Sequence, residues 1–231
     1  MVAGRAPHFG ICPKLDELPG DSLLLIDMPI GLPDTGGFRS CDRWARHVLG
    51  PRRSSVFAPP PRFLLHATDY ATANRQHRAQ HPEGKGLSKQ SFYILPKIAE
   101  LDRWLQAHDS RGQRGLEAHP ELAFCSLNSG RPMHHSKRSE AGYAERMAVL
   151  RRHEPDAAAV VARARAAYPR NQLANDDILD ALALALLGRF HDRLRVFPDP
   201  PPRDTAGRPM QMLHLPWAGL EYPGSLALTI H

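Results

Sequence analysis

Between Asn175 and Leu187 the chain reads Asn-Asp-Asp-Ile-Leu-Asp-Ala-Leu-Ala-Leu-Ala-Leu-Leu, and no other segment constrains the fold as strongly. After its acidic start, a helix of this sequence is apolar on every side, so it must lie inside a core. Asp180 is embedded in that apolar stretch. Asp177, three residues earlier, shares its face, with the two Cβ atoms about 5–6 Å apart. Like charges at that spacing are costly to bury unless a cation or a base compensates them. A divalent metal with oxygen ligands is one natural compensation. Asp176 has a simpler explanation, since a first-turn acid is favoured by the helix dipole and Asn175 can cap the helix. That explanation serves Asp177 well too and Asp180 much less well, and the Asp177/Asp180 pair is read as functional.

The rest of the chain must supply the core that buries this helix. With 231 residues, 42% of them apolar and 23% charged, the expectation is one α/β domain over 1–231. Leu23-Leu24-Leu25-Ile26 reads as a buried strand that leaves its sheet at Asp27, because Pro29 cannot donate to a central ladder. A second strand is expected over 115–119, ending at Pro120. Helices are expected over 42–49, 67–80, 140–153 and 155–168, and from a cap at Asn175 to about residue 195. Another, through Ile94, Ile98, Leu101 and Leu105, should bend at Pro96. Residues 1–20, the proline-rich basic loop 51–62 and the tail 197–231 read as irregular. Alternation of short strands and helices points to α/β.

Asp27 stands where α/β proteins place their sites, at a strand's C-terminal end. Its ordinary role there is to hydrogen-bond a turn. Glu117 and Glu121 bracket Ala118-His119-Pro120 at the end of the second strand. Their plain readings are a helix-capping acid beside a satisfied core histidine. If Asp27, one of these glutamates, Asp177 and Asp180 converge, they could hold two Mg²⁺ or Mn²⁺ ions about 3.5–4 Å apart for phosphodiester hydrolysis. Asp27, Asp177 and Asp180 are the expected metal ligands, and His119 could orient a carboxylate or carry a proton. Arg39, Arg52, Arg53, Arg62, Lys85 and Lys137 are candidate phosphate contacts, although any one of them reads equally as solvated surface. Thirty Lys and Arg against 24 Asp and Glu leave a net charge of +6, which suits a nucleic-acid partner and also simple solubility.

Some classes are disfavoured. Cys12, Cys41 and Cys125 are widely spaced with no Cys-x-x-Cys pair, which argues against a disulfide framework or zinc ribbon and for a reducing compartment. The first twenty residues lack the apolar core of a signal peptide, and no stretch reaches the roughly 20 apolar residues of a membrane span. Cytoplasm is the expected location. Gly84-x-Gly86 lacks the third glycine and the preceding strand of a dinucleotide site.

Several strings taken together are specific where none is alone. They are Ile26-Asp27-Met28-Pro29-Ile30-Gly31-Leu32-Pro33, Arg39-Ser40-Cys41-Asp42-Arg43-Trp44-Ala45-Arg46 and Gly50-Pro51-Arg52-Arg53-Ser54-Ser55-Val56-Phe57. Gly86-Leu87-Ser88-Lys89-Gln90, Glu117-Ala118-His119-Pro120-Glu121, Lys137-Arg138 ahead of Gly142, and Asn175 to Ala181 complete the set. In this order the chain resembles the predicted RNase H-like nucleases, domain of unknown function 429. The resemblance implies a ribonuclease H-like fold, a mixed sheet flanked by helices, and a metal-dependent nuclease. The acids it implies are Asp27, Glu117 or Glu121, and Asp177 with Asp180. One departure stands out: relatives open with a hairpin run carrying an Asp before the equivalent of Leu23, and the 22 residues here show no such pattern. Asp16 and Glu17, in a Leu15/Leu18 helical context, are poor substitutes. The alternative is therefore a catalytically inactive nucleic-acid-binding or protein-interaction module, with a homodimer as one way to cover the open sheet edge.

Overall fold

The computed structural model describes residues 9–18, 23–108 and 114–222. Helix α8 (Asn175–Gly188) is central, with Ile178, Leu179, Leu182, Ala183, Leu184, Leu186 and Leu187 buried. Against it pack α5 (Pro120–Leu127), in which every residue is buried, α6 (Glu140–His153) and α7 (Ala157–Ala167). Phe124, Met147, Leu150, Val160 and Leu182 belong to the core cluster these helices share. Two expectations for α8 are corrected. Asn175 opens the helix instead of capping it, the cap being Ala174 with no side-chain bond. The helix stops at Gly188, where the apolar repeat gives way to exposed Arg189, His191 and Asp192.

Strand β1 (Leu23–Ile26) pairs in parallel with β2 (Arg114–Glu117), and Ile26 lies opposite Glu117. β3 (Arg195–Phe197) runs antiparallel to β4 (Met212–His214), and a parallel bridge from Ala118 to Leu213 joins the two pairs. The described strands thus form two two-stranded sheets linked by that single bridge, and the protein is mixed α/β. β1 has no strand partner on its other edge among the described residues. The tail expected to be irregular therefore contains β4 and the last residue of β3. Met212, Leu213, His214 and Leu215 are all buried. That short apolar run sits in a proline-rich context, so its tertiary partner β2 decides its conformation.

The other layer comprises α1 (Ser40–Leu49), α2 (Tyr70–Gln80), α3 (Lys89–Tyr93) and α4 (Leu95–His108). α1 begins where the Arg39 backbone N–H donates to Asp42 Oδ2 at 2.8 Å. The break expected at Pro96 falls at Ile94 instead, because Pro96 is tolerated in the first turn of α4, where its missing N–H has no intrahelical partner. Within the proline-rich loop, Gly50–Ser55 and Arg62–Leu64 form 3-10 turns.

Candidate functional site

Asp27 is the first residue beyond β1, and the opening turns of α8 lie alongside it. Asp27, Asp177, Asp180 and Lys137 line one cavity of about 640 Å³, whose remaining wall is apolar (Leu23, Leu25, Ala181, Leu184 and Ala185) except for Arg189, which pairs with Glu154 at 2.6 Å. Lys137 arrives on the loop between α5 and α6, and its Nζ donates to Asp180 Oδ2 at 2.8 Å and meets Asp176 Oδ2 at 3.2 Å. That loop is held at several points. The backbone N–H groups of His134 and His135 donate to Glu145 at 2.8 and 3.0 Å. The Ser139 hydroxyl donates to Ser136 O at 2.8 Å and accepts from Gly142 N–H at 3.0 Å. Gly142 permits this, since a Cβ there would lie 1.9 Å from Ser136 O.

The cavity holds more negative charge than Lys137 neutralises. Burial pushes the Asp27 carboxyl above its ordinary range, and Asp177 adds to the effect, while His119 and Lys137 oppose it. Asp27 keeps a solvent-exposed edge, so the surrounding protein desolvates it without enclosing it. Burial also raises Asp180, with Asp27 and Glu121 contributing and Lys137 opposing. Burial works against the Lys137 charge, but Asp180 and Asp176 outweigh it and keep the ammonium protonated well into the alkaline range.

The two glutamates part company. Glu117 does not line the cavity. It accepts from Ile30 N–H at 2.8 Å and pairs with the Arg39 guanidinium, which also holds Asp42 at 2.7 Å and donates to Gly31 O. Arg39 is buried, so the surface phosphate contact expected of it is replaced by a structural role as counter-charge to two buried acids. Glu121 sits beside the cavity, close enough for its charge to raise Asp180. Its Oε1 accepts from Arg146 at 2.5 Å and Arg52 at 3.1 Å, while its buried Oε2 has no hydrogen-bond partner. His119 caps α5: its Nδ1 accepts from Glu121 N–H at 3.2 Å, which leaves Nε2–H to donate to Ser55 O at 3.2 Å.

Of the remaining basic residues, Arg62 is taken up by Asp102 and Asp204 at 3.0 and 2.5 Å. Arg53 is exposed, and Lys85 is exposed but paired with Glu83 at 2.6 Å. Sequence reasoning passed over Arg146, whose guanidinium is fully buried beside Glu121. Its signal was legible: with Gly142, Val149 and Leu150 it falls on the buried face of α6, where an arginine needs a partner. Asp176 was given only a dipole role and turns out to share Lys137 with Asp180.

The three cavity carboxylates, Asp27, Asp177 and Asp180, have the donor chemistry of a hard divalent cation. The side chains are nonetheless arranged around the ammonium, and among the described residues no group of three or more His, Cys, Asp or Glu is grouped to hold a metal ion. The three cysteines are free thiols. Among the described residues no helix is long and apolar enough to cross a membrane. No curated protein and no solved structure matches the chain. The family model described as "Protein of unknown function (DUF429)" matches residues 1–203, a span that includes Asp27, Glu121, Lys137, Asp177 and Asp180. The chain belongs to that family of proteins of unknown function.

Proposed function

We propose that the acidic cavity is a phosphodiester hydrolase site of the RNase H-like nuclease type, acting on nucleic acid with Mg²⁺ or Mn²⁺. The observation that carries this reading is the convergence of Asp27, from the end of β1, with Asp177 and Asp180, about 150 residues later, on one cavity. Desolvation of Asp27 and Asp180 makes the site short of positive charge, which favours uptake of a cation. Asp27, Asp177 and Asp180 would hold the ion, which when bound lowers the pKa of water and stabilises a leaving oxygen.

The chain's own residues account for the rest of the site. Lys137 pairs with Asp176 and Asp180 and is partly exposed on a four-carbon stem, so it can swing out when another cation arrives. Arg52 and Arg146 hold Glu121 in place behind the cavity. His119 has both ring nitrogens engaged and positions the start of α5.

The test combines titration with Mn²⁺ and incubation with labelled single-stranded DNA and RNA. Mn²⁺ binding and Mn²⁺-dependent cleavage are expected, both lost in Asp177→Asn and Asp180→Asn. Native protein that neither binds Mn²⁺ nor cleaves overturns the reading. One observation favours a second reading, a catalytically inactive binding module: Lys137 already pairs with two of the acids at ion-pair distance. In that case Lys137 is the resident cation, and only Lys137→Met takes up Mn²⁺.

A further inference from the structure

A second cavity, of about 740 Å³, opens among the Thr35–Phe38 loop, the outer face of α1, residues 54–59 and the chain that follows α2. It falls in the range of small-ligand pockets. Arg43 and Arg46 project from α1 into its wall, and both are held by backbone carbonyls. Arg46 donates to Arg53 O at 2.8 Å and Val56 O at 2.7 Å, with its guanidinium 4.4 Å from the centre of the Phe38 ring. Arg43 donates to Phe38 O. Neither has a carboxylate partner among the described residues, so both charges are oriented yet uncompensated. Glu83, the one acid in the lining, is already neutralised by Lys85. Phe57 stands at the mouth, 36% exposed, in a position where a flat ring can stack on it.

The wall is built for close approach. Gly36 lies against the rings of His77 and His81, where a Cβ would come within 2.6 and 2.4 Å of them. Gly37 adopts φ +127°, a conformation that glycine accepts readily. The 3-10 turn Gly50–Ser55 contributes to this cavity and also contacts the start of α5. Ser54 lines the second cavity, while Arg52 of the same turn bonds Glu121, and Ser55 O accepts from His119.

We infer that this second cavity is a binding site for a phosphorylated, ring-bearing ligand, a segment of single-stranded nucleic acid, with phosphate on Arg43 and Arg46 and a base stacked on Phe57. The anion-and-ring chemistry stands on this cavity alone; the choice of a strand over a free nucleotide rests on the hydrolase reading of the acidic cavity.

The experiment is run in EDTA, which silences cleavage, so failure of the hydrolase reading leaves its outcome legible. Fluorescein-labelled single-stranded DNA and RNA 12-mers are titrated by anisotropy, and AMP and inorganic phosphate by calorimetry. Binding of a 12-mer is expected. Arg43→Ala and Phe57→Ala, both at exposed positions and checked by thermal melting, should each weaken it about tenfold. Arg43→Ala should also reduce the salt slope by about one. Native-strength binding by the folded double variant, or no 12-mer binding at all, overturns the proposal. AMP binding as tightly as the 12-mer, with the same dependence on Arg43, overturns the strand and leaves a free-nucleotide site.

Discussion

At the scale of single residues, acids alike in sequence have different fates because their neighbours differ. Glu117 and Asp42 share one buried arginine, Arg39. Glu117→Gln should remove one arm of a buried pair and cost about 3–5 kcal/mol in urea unfolding. Asp177, exposed on α8, should tolerate Asn with little change. A stable Glu117→Gln protein with lost activity would reverse those assignments. Asp27 behaves differently again. Burial raises its carboxyl from 3.8, so the folded state holds its proton to higher pH than the unfolded chain does. Its contribution to stability is complete below about pH 3.8 and is lost as pH rises through the folded value. Asp27→Asn should therefore raise Tm at pH 7, modestly because solvent reaches the side chain, and leave Tm at pH 3 nearly unchanged. A lower Tm at pH 7 would mean that the carboxylate makes a stabilising contact.

At the scale of elements, the placing of Lys137 depends on how α6 begins. Ser139 caps the helix through Gly142 N–H, and Gly142 lies against Ser136 O. Gly142→Ala puts a methyl into backbone that cannot yield cheaply. A loss of about 1–3 kcal/mol is expected, together with displacement of the loop that carries Lys137. With Lys137 displaced, the Asp180 carboxyl should titrate higher, which carboxylate NMR can read. An unchanged Asp180 would show that the loop does not depend on this start. The same logic explains why helix existence was legible and helix ends were not. Apolar periodicity announced α4, α6 and α8, but the stop at Gly188 and the break at Ile94 depend on local contacts that periodicity does not encode.

At the scale of the whole molecule, the segment beyond residue 203 belongs to the fold. Asp204 accepts from Leu32 N–H at 3.0 Å and pairs with Arg62 at 2.5 Å, tying the tail to the cluster that holds Leu32, Leu64 and Leu95. β4 inserts Leu213 into the α5–α8 core and Met212 into the cluster around Trp44 and Leu122. Deleting residues 204–231 should therefore abolish cooperative unfolding and not merely lower its midpoint, as monitored by near-UV circular dichroism and urea titration. A truncated protein that melts as sharply as the full chain would show that β4 is ornamental.

By itself the sequence determined that α8 is buried with acids on it, that β1 ends at Asp27, and that the chain is α/β. Each of these follows from local pattern: apolar residues all round a helix, or an apolar run stopped by proline. Only the tertiary structure decided which acids meet. Glu117 and Glu121 are four residues apart and look equivalent in sequence, yet one closes on Arg39 and the other on Arg146 and Arg52. Those partners come from distant segments, and the energy of a buried charge depends on its nearest opposite charge in space, which the order of residues along the chain leaves open. Lys137 makes the same point: a surface lysine by composition becomes the counter-ion of Asp176 and Asp180 because the loop before α6 delivers it there.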